Sequence, residues 1–509
     1  MRKNLFPVLI FITMLCIGLI ILFVQQLHAD VLFFLYWTER IVKGSKLYID
    51  IIDINTPITY YFNYPVISLS YLLNLPIILT FKIFVLIILA FVAFVSKKIL
   101  SHSPLTLKEK KGIVYLIVLL FIFSGWDFGQ REYLFLLMVT PYLITRFLHL
   151  TQKGFKPPTF LSILVAFMAA CGLGFKPFFV LSFIAIETYI LKSKRFKFYR
   201  KNEFIYLLLF LLVQFVIIYL FIPAFYSNFL IGLKTYPFYE TGNRIILRFE
   251  TIYIITAIII FVYEKYYLKT LSRINAALII LIISTWILAL LQKKGFYHYY
   301  FPANFLSLLY FSLFIYKSLA KRVYLNINPS YILVISFLSV LITFTLFVLV
   351  IRALDSPQTV ERMKYNSLIK FTKEKANNKG IAVLSTSLFP FTLLQHDADV
   401  GWVTHYPNFW QLPGFYKKIN LDISPYPYHK VSDMGTMERE FFNMTVDDLV
   451  VSKPNLIFIL KNKYKEGFGM TTFDFYEYFS QDPRFSNLMK HYKLAFEEYG
   501  YDILILEEN

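Results

Sequence analysis

The sequence predicts a polytopic α-helical membrane protein with about eleven transmembrane helices and a C-terminal α/β extracytoplasmic domain. Three observations carry that prediction. Hydrophobic residues fill 57% of the 509 positions and aromatic residues 19%, at a mean hydropathy of +0.58, which is more apolar surface than a water-soluble chain of this length can hide. Apolar stretches of roughly 20 residues, the length that crosses a hydrocarbon core about 30 Å thick, recur through the first ~350 positions. Lysine and arginine collect in every second connection between them, the pattern of loops that stay in the cytoplasm.

The first span, 5–25, follows Arg2 and Lys3. Its apolar run from Leu5 to Val24 is longer than a secretory signal core, and Gln25-Gln26-Leu27-His28 lacks the small residue of a cleavage site, so an uncleaved helix is expected. Ten further spans are placed at 79–96, 113–125, 132–149, 158–174, 177–191, 204–223, 250–263, 274–291, 301–316 and 331–351, of which 113–125 and 250–263 are short. The stretch 56–78 is also apolar enough to span. Counting it would move Lys97, Lys98, Lys108, Lys110 and Lys111 outside, and Asn63, Pro65, Asn74 and Pro76 interrupt it, so it is read as short helices along the membrane surface.

The basic connections are 1–4, 97–112, 146–156, 192–203, 264–273 and 317–322. Together they carry the whole formal net charge of +19 and place the N-terminus in the cytoplasm. A pI of about 9.5 therefore reports orientation rather than a nucleic-acid-binding face, and no nucleic acid is expected as a partner. Cys16 and Cys171 fall inside spans, which leaves the external part without a disulfide framework.

The domain division follows from the same map. Residues 1–352 form the transmembrane domain, with a long first external loop at 26–78, and 353–509 become charged and mixed, as a soluble domain does. There, short β-like runs at 380–384, 456–460 and 502–506 alternate with helix-like polar stretches such as 357–378 and 473–493. An odd number of spans puts this domain outside, in the periplasm or its extracellular equivalent.

Ionisable residues concentrate in the external loops. The first loop carries Asp30 at the mouth of the first helix, then Asp50 and Asp53 in Tyr48-Ile49-Asp50 and Asp53-Ile54-Asn55-Thr56-Pro57. A carboxylate at the membrane boundary is costly to desolvate without a partner or a task, although helix-cap and turn roles account for such residues equally well. The second loop is short and dense. Gly125-Trp126-Asp127-Phe128-Gly129-Gln130-Arg131-Glu132-Tyr133 places Asp127 ahead of the fourth span and Arg131 and Glu132 in its first turn. This reads either as a structural ion pair or as an acid beside an arginine suited to phosphate. Lys176 follows one span, and Lys293, Lys294 and His298 precede another within an aromatic run to Pro302. These cations on the side normally poor in them suggest a pocket for an anionic lipid headgroup, although a lone lysine at a helix end can simply snorkel.

In these residues the chain resembles the integral-membrane glycosyltransferases of the GT-C fold that use polyprenyl-phosphate sugars, including protein O-mannosyltransferases and the lipid A aminoarabinose transferase. The resemblance covers most of the chain. It rests on the many spans, the long first external loop with an acid just after helix one, a second acid in the next external loop, and the external C-terminal domain. The strings from Gly44 to Pro57, Phe128-Gly129-Gln130-Arg131-Glu132, and Lys294 to Pro302 are similar to those of bacterial members. The chain departs from the pattern in having no adjacent acidic pair in the first loop.

The resemblance implies an enzyme of the bacterial inner (plasma) membrane. It would transfer a hexosyl or pentosyl group from a polyprenyl-phosphate carrier to a lipid, glycan or protein acceptor, with inversion, among membrane lipids. Asp30 would be the general base, with Asp50 and Asp53 open as alternatives. Asp127 or Glu132 would position acceptor or metal, and Arg131, Lys176, Lys294 and His298 would stabilise the departing phosphate. A carboxylate site of this kind would suit Mg²⁺ or Mn²⁺, which the spacing does not demand. A polymerase or ligase of lipid-linked glycans shares these features. A flippase would need charges along the spans, where Glu187 is the main candidate and reads as an interface charge near Lys192.

Overall fold

The computed structural model describes residues 5–152, 155–194, 202–236, 249–269, 271–292, 296–322, 358–376, 379–388, 391–416 and 423–507. The chain is mostly helical, with a small sheet near its C-terminus, and it divides into two compact units.

The first unit comprises Met1–His28, Tyr61–Leu220 and Arg244–Asp355. Its helices begin with α1 (Leu5–Val24), and the chain then passes α2 (Ala29–Val42) and α3 (Pro57–Tyr61) to reach α4 (Tyr64–Leu73). They continue as α5 (Ile77–Ser101), α6 (Leu107–Ile122), α7 (Arg131–Thr151), α8 (Thr159–Phe175), α9 (Val180–Lys194) and α10 (Asn202–Phe221). After α11 (Ala224–Thr235), which lies in the other unit, come α12 (Phe249–Val262), α13 (Arg273–Leu291) and α14 (Phe301–Arg322). Apolar helices thus stand at ten of the eleven positions expected from sequence, and the eleventh, 331–351, lies outside the described residues. Among the described helices α5, α7, α10 and α13 are long and apolar enough to cross a membrane by length and composition. On α10, Leu212 and Phe221 are 59% and 77% exposed, an arrangement compatible with contact to lipid.

Local chemistry sets the ends of these helices. The stretch 56–78 forms the short helices α3 and α4, the second with a proline in its first turn and closed by Asn74 in the left-handed region at φ 50. Thr106 and Glu109 cap α6 reciprocally, Thr106 N–H donating to Glu109 Oε2 at 2.8 Å and Glu109 N–H to Thr106 Oγ1 at 3.3 Å. Lys82, buried within α5, donates to the carbonyls of Phe23 and Gln25 at 3.2 and 2.7 Å, satisfying groups that the end of α1 leaves over. Gly172 lets α7 and α8 pack closely, since a Cβ there would lie 2.8 Å from Val139 Cγ1 and 2.9 Å from the Phe135 carbonyl.

One expectation is corrected. Glu187 is not an interface charge, because it is buried on α9 and forms a bidentate ion pair with Arg146 of α7, itself 1% exposed. Arg146 Nε donates to Glu187 Oε1 at 2.7 Å, and Tyr142, one turn before Arg146, donates to the same oxygen at 3.1 Å. Two buried charges are tolerable here because each offsets the other's desolvation and the Tyr142 hydroxyl adds a third hydrogen bond to the carboxylate.

The second unit comprises Ala29–Tyr60, Phe221–Asn243 and Ser356–Asn509. Its helices α15 (Gln358–Lys375), α16 (Phe391–Ala398), α17 (Leu412–Phe415) and α18 (Thr436–Ser452) accompany the strands β1 (Ile381–Leu384) and β2 (Leu456–Leu460). A two-stranded ribbon of β3 (Tyr464–Lys465) and β4 (Gly469–Met470) precedes α19 (Phe475–Phe479), α20 (Pro483–Met489), β5 (Tyr492–Glu498) and β6 (Tyr501–Leu506). The main sheet has the order β1-β2-β6-β5, with β1 parallel to β2 and the other pairs antiparallel. Both β1 and β2 are buried along their whole length, which their unbroken aliphatic runs require. The helix-like 473–493 divides into two short helices, capped by Asp474 and Asp482, and then enters β5. The β5–β6 turn places Tyr499 and Gly500 at φ 53 and 76, the geometry a two-residue hairpin favours.

Segments distant in sequence close this unit. Trp402 N–H donates to Tyr36 Oη at 3.0 Å, and Arg40 Nη1 donates to the Trp402 carbonyl at 3.1 Å while stacking on Trp37. Ile52 N–H donates to the His405 carbonyl at 2.9 Å, and Asn228 Nδ2 to that of Tyr48 at 3.1 Å. Gly414 lies against Thr235, where a Cβ would come 2.4 Å from the threonine Cα.

Candidate functional site

In the first unit, two glycines turn the short loop ahead of α7. Gly125, at φ +63, opens a 3-10 turn over Gly125–Asp127, and Gly129, at φ +77, leads out of it. A Cβ on Gly129 would lie 2.5 Å from the Phe81 ring, so both conformation and space call for glycine there. Gln130 then takes the N-cap position, with Arg131 and Glu132 in the first turn of α7, where the helix dipole favours a carboxylate.

Glu132 is 0% exposed, and its Oε1 lies 2.7 Å from Nζ of Lys176. Pro177 keeps Lys176 out of the helical region, at φ −142 and ψ 83, so α8 ends and the lysine emerges beside it. The Lys176 ammonium sits 4.2 Å from the ring centroid of Tyr299, a cation–π contact that holds it between a carboxylate and an aromatic face. Tyr299 belongs to the 3-10 turn Tyr297–Tyr300 that leads into α14. In the same turn His298, also buried, stacks on Phe296 at 5.5 Å and meets His28 edge-on at 5.3 Å. Lys176, then His298, then Arg131 are the cationic groups that act on the Glu132 carboxylate. Three separate chain segments thus bring basic side chains to one buried carboxylate, a combination of groups suited to an anion such as phosphate.

The remaining sequence candidates lie as follows. Asp127 is half-buried in the 3-10 turn, and its carbonyl accepts from Gln130 N–H at 3.0 Å. Asp30, half-buried, stands in the first turn of α2 within the second unit. Asp50 accepts from Lys46 N–H at 2.7 Å and closes a tight turn. Asp53 is buried and accepts from the Tyr60 hydroxyl and from Asn55 Nδ2, the latter at 2.6 Å, which makes it an internal brace of its loop. Lys294 lies outside the described residues. Among the described residues no group of three or more His, Cys, Asp or Glu is placed to hold a metal ion, so no ligand set for Mg²⁺ or Mn²⁺ can be named.

Tyr299 and His28 were not singled out in the sequence. The aromatic run ahead of α14 is the only signal of Tyr299, and His28 is visible only as a polar residue at the end of an apolar span.

In the second unit two histidines are held by carboxylates. His405 Nδ1 lies 2.7 Å from Asp448 Oδ1, and the Asp448 bond together with its charge raises the His405 pKa above the ordinary histidine value. His429 Nδ1 lies 2.6 Å from Glu438 Oε2 and stacks on Tyr416, whose hydroxyl donates to Glu438 Oε1 at 2.8 Å. Both pairs fix a loop to α18.

No protein-family model matches the chain, and comparison with curated proteins found no match.

Proposed function

We propose that this chain is an integral membrane glycosyltransferase that moves a sugar from a polyprenyl-phosphate carrier to an acceptor on the extracytoplasmic side. The observation that supports this most directly is the buried Glu132 carboxylate, paired with the buried Lys176 and acted on by His298 and Arg131. Cations gathered in this way stabilise the charge that grows on a departing lipid phosphate. Glu132 acts as the counter-ion that holds Lys176 in place, and the Tyr299 ring supports the same ammonium.

A general base, for which the sequence offers Asp30, Asp50 and Asp53, takes the proton of the acceptor hydroxyl as that oxygen bonds to the sugar C1, and the C1–O bond to phosphate breaks with inversion. The phosphate leaves with the bonding pair, and the cations beside Glu132 receive its charge. A flippase of lipid-linked glycans would use charges along the spans. Arg146 and Glu187 are such charges, and they are paired with each other.

Purified Asp30→Asn and Arg131→Ala proteins are expected to express and fold normally yet transfer no sugar from polyprenyl-phosphate donors. Full activity in both variants would sink the proposal.

A further inference from the structure

The start of α7 holds two polar side chains that nothing around them explains. Gln130, at the N-cap of this 21-residue helix, is 1% exposed, and neither its Nε2 nor its Oε1 has a hydrogen-bond partner among the described residues. Tyr133 is 0% exposed, and its hydroxyl is likewise without a partner among them. Burying an amide or a hydroxyl unpaired costs on the order of 1–3 kcal/mol, so such groups persist where something outside the chain completes them. Positions three apart at a helix start are neighbours on its surface. The Tyr133 ring cannot swing away, because Phe121, Phe128 and Phe301 pack on it with centroids 5.2, 5.3 and 5.9 Å distant.

The chemistry of these atoms selects the ligand. A phosphate offers only acceptors and would leave Gln130 Oε1 unpaired. A hydroxyl both donates and accepts, so one or two neighbouring hydroxyls pair with the amide Nε2–H, the amide Oε1 and the phenol together. Gln130 and Tyr133 also flank Arg131 and Glu132 in the chain, which puts this polar pair beside the residues assigned to the phosphate.

We infer that Gln130 and Tyr133 form a hydroxyl-reading subsite for the donor sugar and determine which sugar is accepted. The inference rests on the sugar-transfer proposal. Water supplies the same donor and acceptor pattern and is the other source of the missing partners.

The test uses the full chain in nanodiscs with polyprenyl-phosphate hexoses and pentoses and their mono-deoxy analogues as donors. Wild type is expected to lose about tenfold in kcat/KM on at least one deoxy donor. Gln130→Leu and Tyr133→Phe are each expected to lose about tenfold on the parent sugar and little more on that same deoxy donor, since the partner is already gone. Should Gln130→Leu fail to fold, Tyr133→Phe, which keeps the ring packing, decides the question alone. Losses that simply multiply, or unchanged donor discrimination in the variants, overturn the inference and leave water as the occupant. If wild type transfers none of these sugars, the sugar-transfer proposal falls and the inference falls with it.

Discussion

Replacing Lys176 by methionine keeps the length of the side chain and removes its charge, leaving Glu132 with 0% exposure and no lysine at 2.7 Å. At that distance and an effective dielectric of about 20 the lost attraction is roughly 6 kcal/mol, offset by the desolvation that both groups undergo on folding. Breaking one side of a buried pair typically costs about 3–5 kcal/mol. His298 and Arg131 still face the carboxylate, so the expected loss is near the lower end, about 3 kcal/mol. Pairing Lys176→Met with Glu132→Gln removes the buried charge and should recover most of that stability, because an amide tolerates the site far better than a lone carboxylate. Activity should not recover with it. Loss of one positioned donor to a developing oxyanion lowers kcat by about 10²–10³, and the double variant still lacks the ammonium. Thermal unfolding in detergent and transfer of radiolabelled sugar from a polyprenyl-phosphate donor measure the two effects separately. A double variant that is both stable and fully active would refute the assignment of Lys176 to the phosphate. A single variant as stable as wild type would refute the buried pair itself.

Gly129→Ala should destabilise by about 1–3 kcal/mol, since the new Cβ meets the Phe81 ring at 2.5 Å and φ is +77, and should lower activity by moving Gln130 to Glu132; Gly129→Ala together with Phe81→Leu should restore part of both in the same assays. His405 has a raised pKa, so its pairing with Asp448 contributes fully below the ordinary histidine value near 6.5 and fades as pH climbs through the raised one. Melting temperature against pH should show this fall, and Asp448→Asn should flatten it; an unchanged profile would remove the pair as the cause. With Cys16 and Cys171 replaced, Trp126→Cys, at a position 50% exposed, should react with an impermeant maleimide from outside intact cells and Lys98→Cys should not. The reverse pattern would invert the topology.

The legible part of this chain was what depends on near neighbours. The helices at ten expected span positions were visible because an apolar run of sufficient length forms a helix in almost any apolar setting, and Asn63, Pro65, Asn74 and Pro76 marked where the stretch 56–78 breaks into α3 and α4. The three aliphatic runs that became β1, β2 and β6 were legible for the same reason. The strand β5 was hidden, because its half-exposed residues gain their extended form from pairing with β6.

The site was legible only as a set of residue types. Acids and cations in separate loops between the expected spans pointed to Asp127, Arg131, Glu132, Lys176 and His298, while Asp53 gave no sign that Tyr60 and Asn55 would pair with it. Glu187 looked like an interface charge because its partner, Arg146, lies on another helix and reads in sequence as part of a basic connection.

Sequence alone therefore determined the helical elements, their expected orientation and the separate character of the C-terminal region, since length, apolarity and charge bias act locally. Only the tertiary structure decided that Lys176 serves Glu132, that Arg146 serves Glu187, and that Ala29–Tyr60 and Phe221–Asn243 fold with Ser356–Asn509. The partner of a buried charge depends on which helix ends become neighbours, and that choice is made by packing across the whole chain.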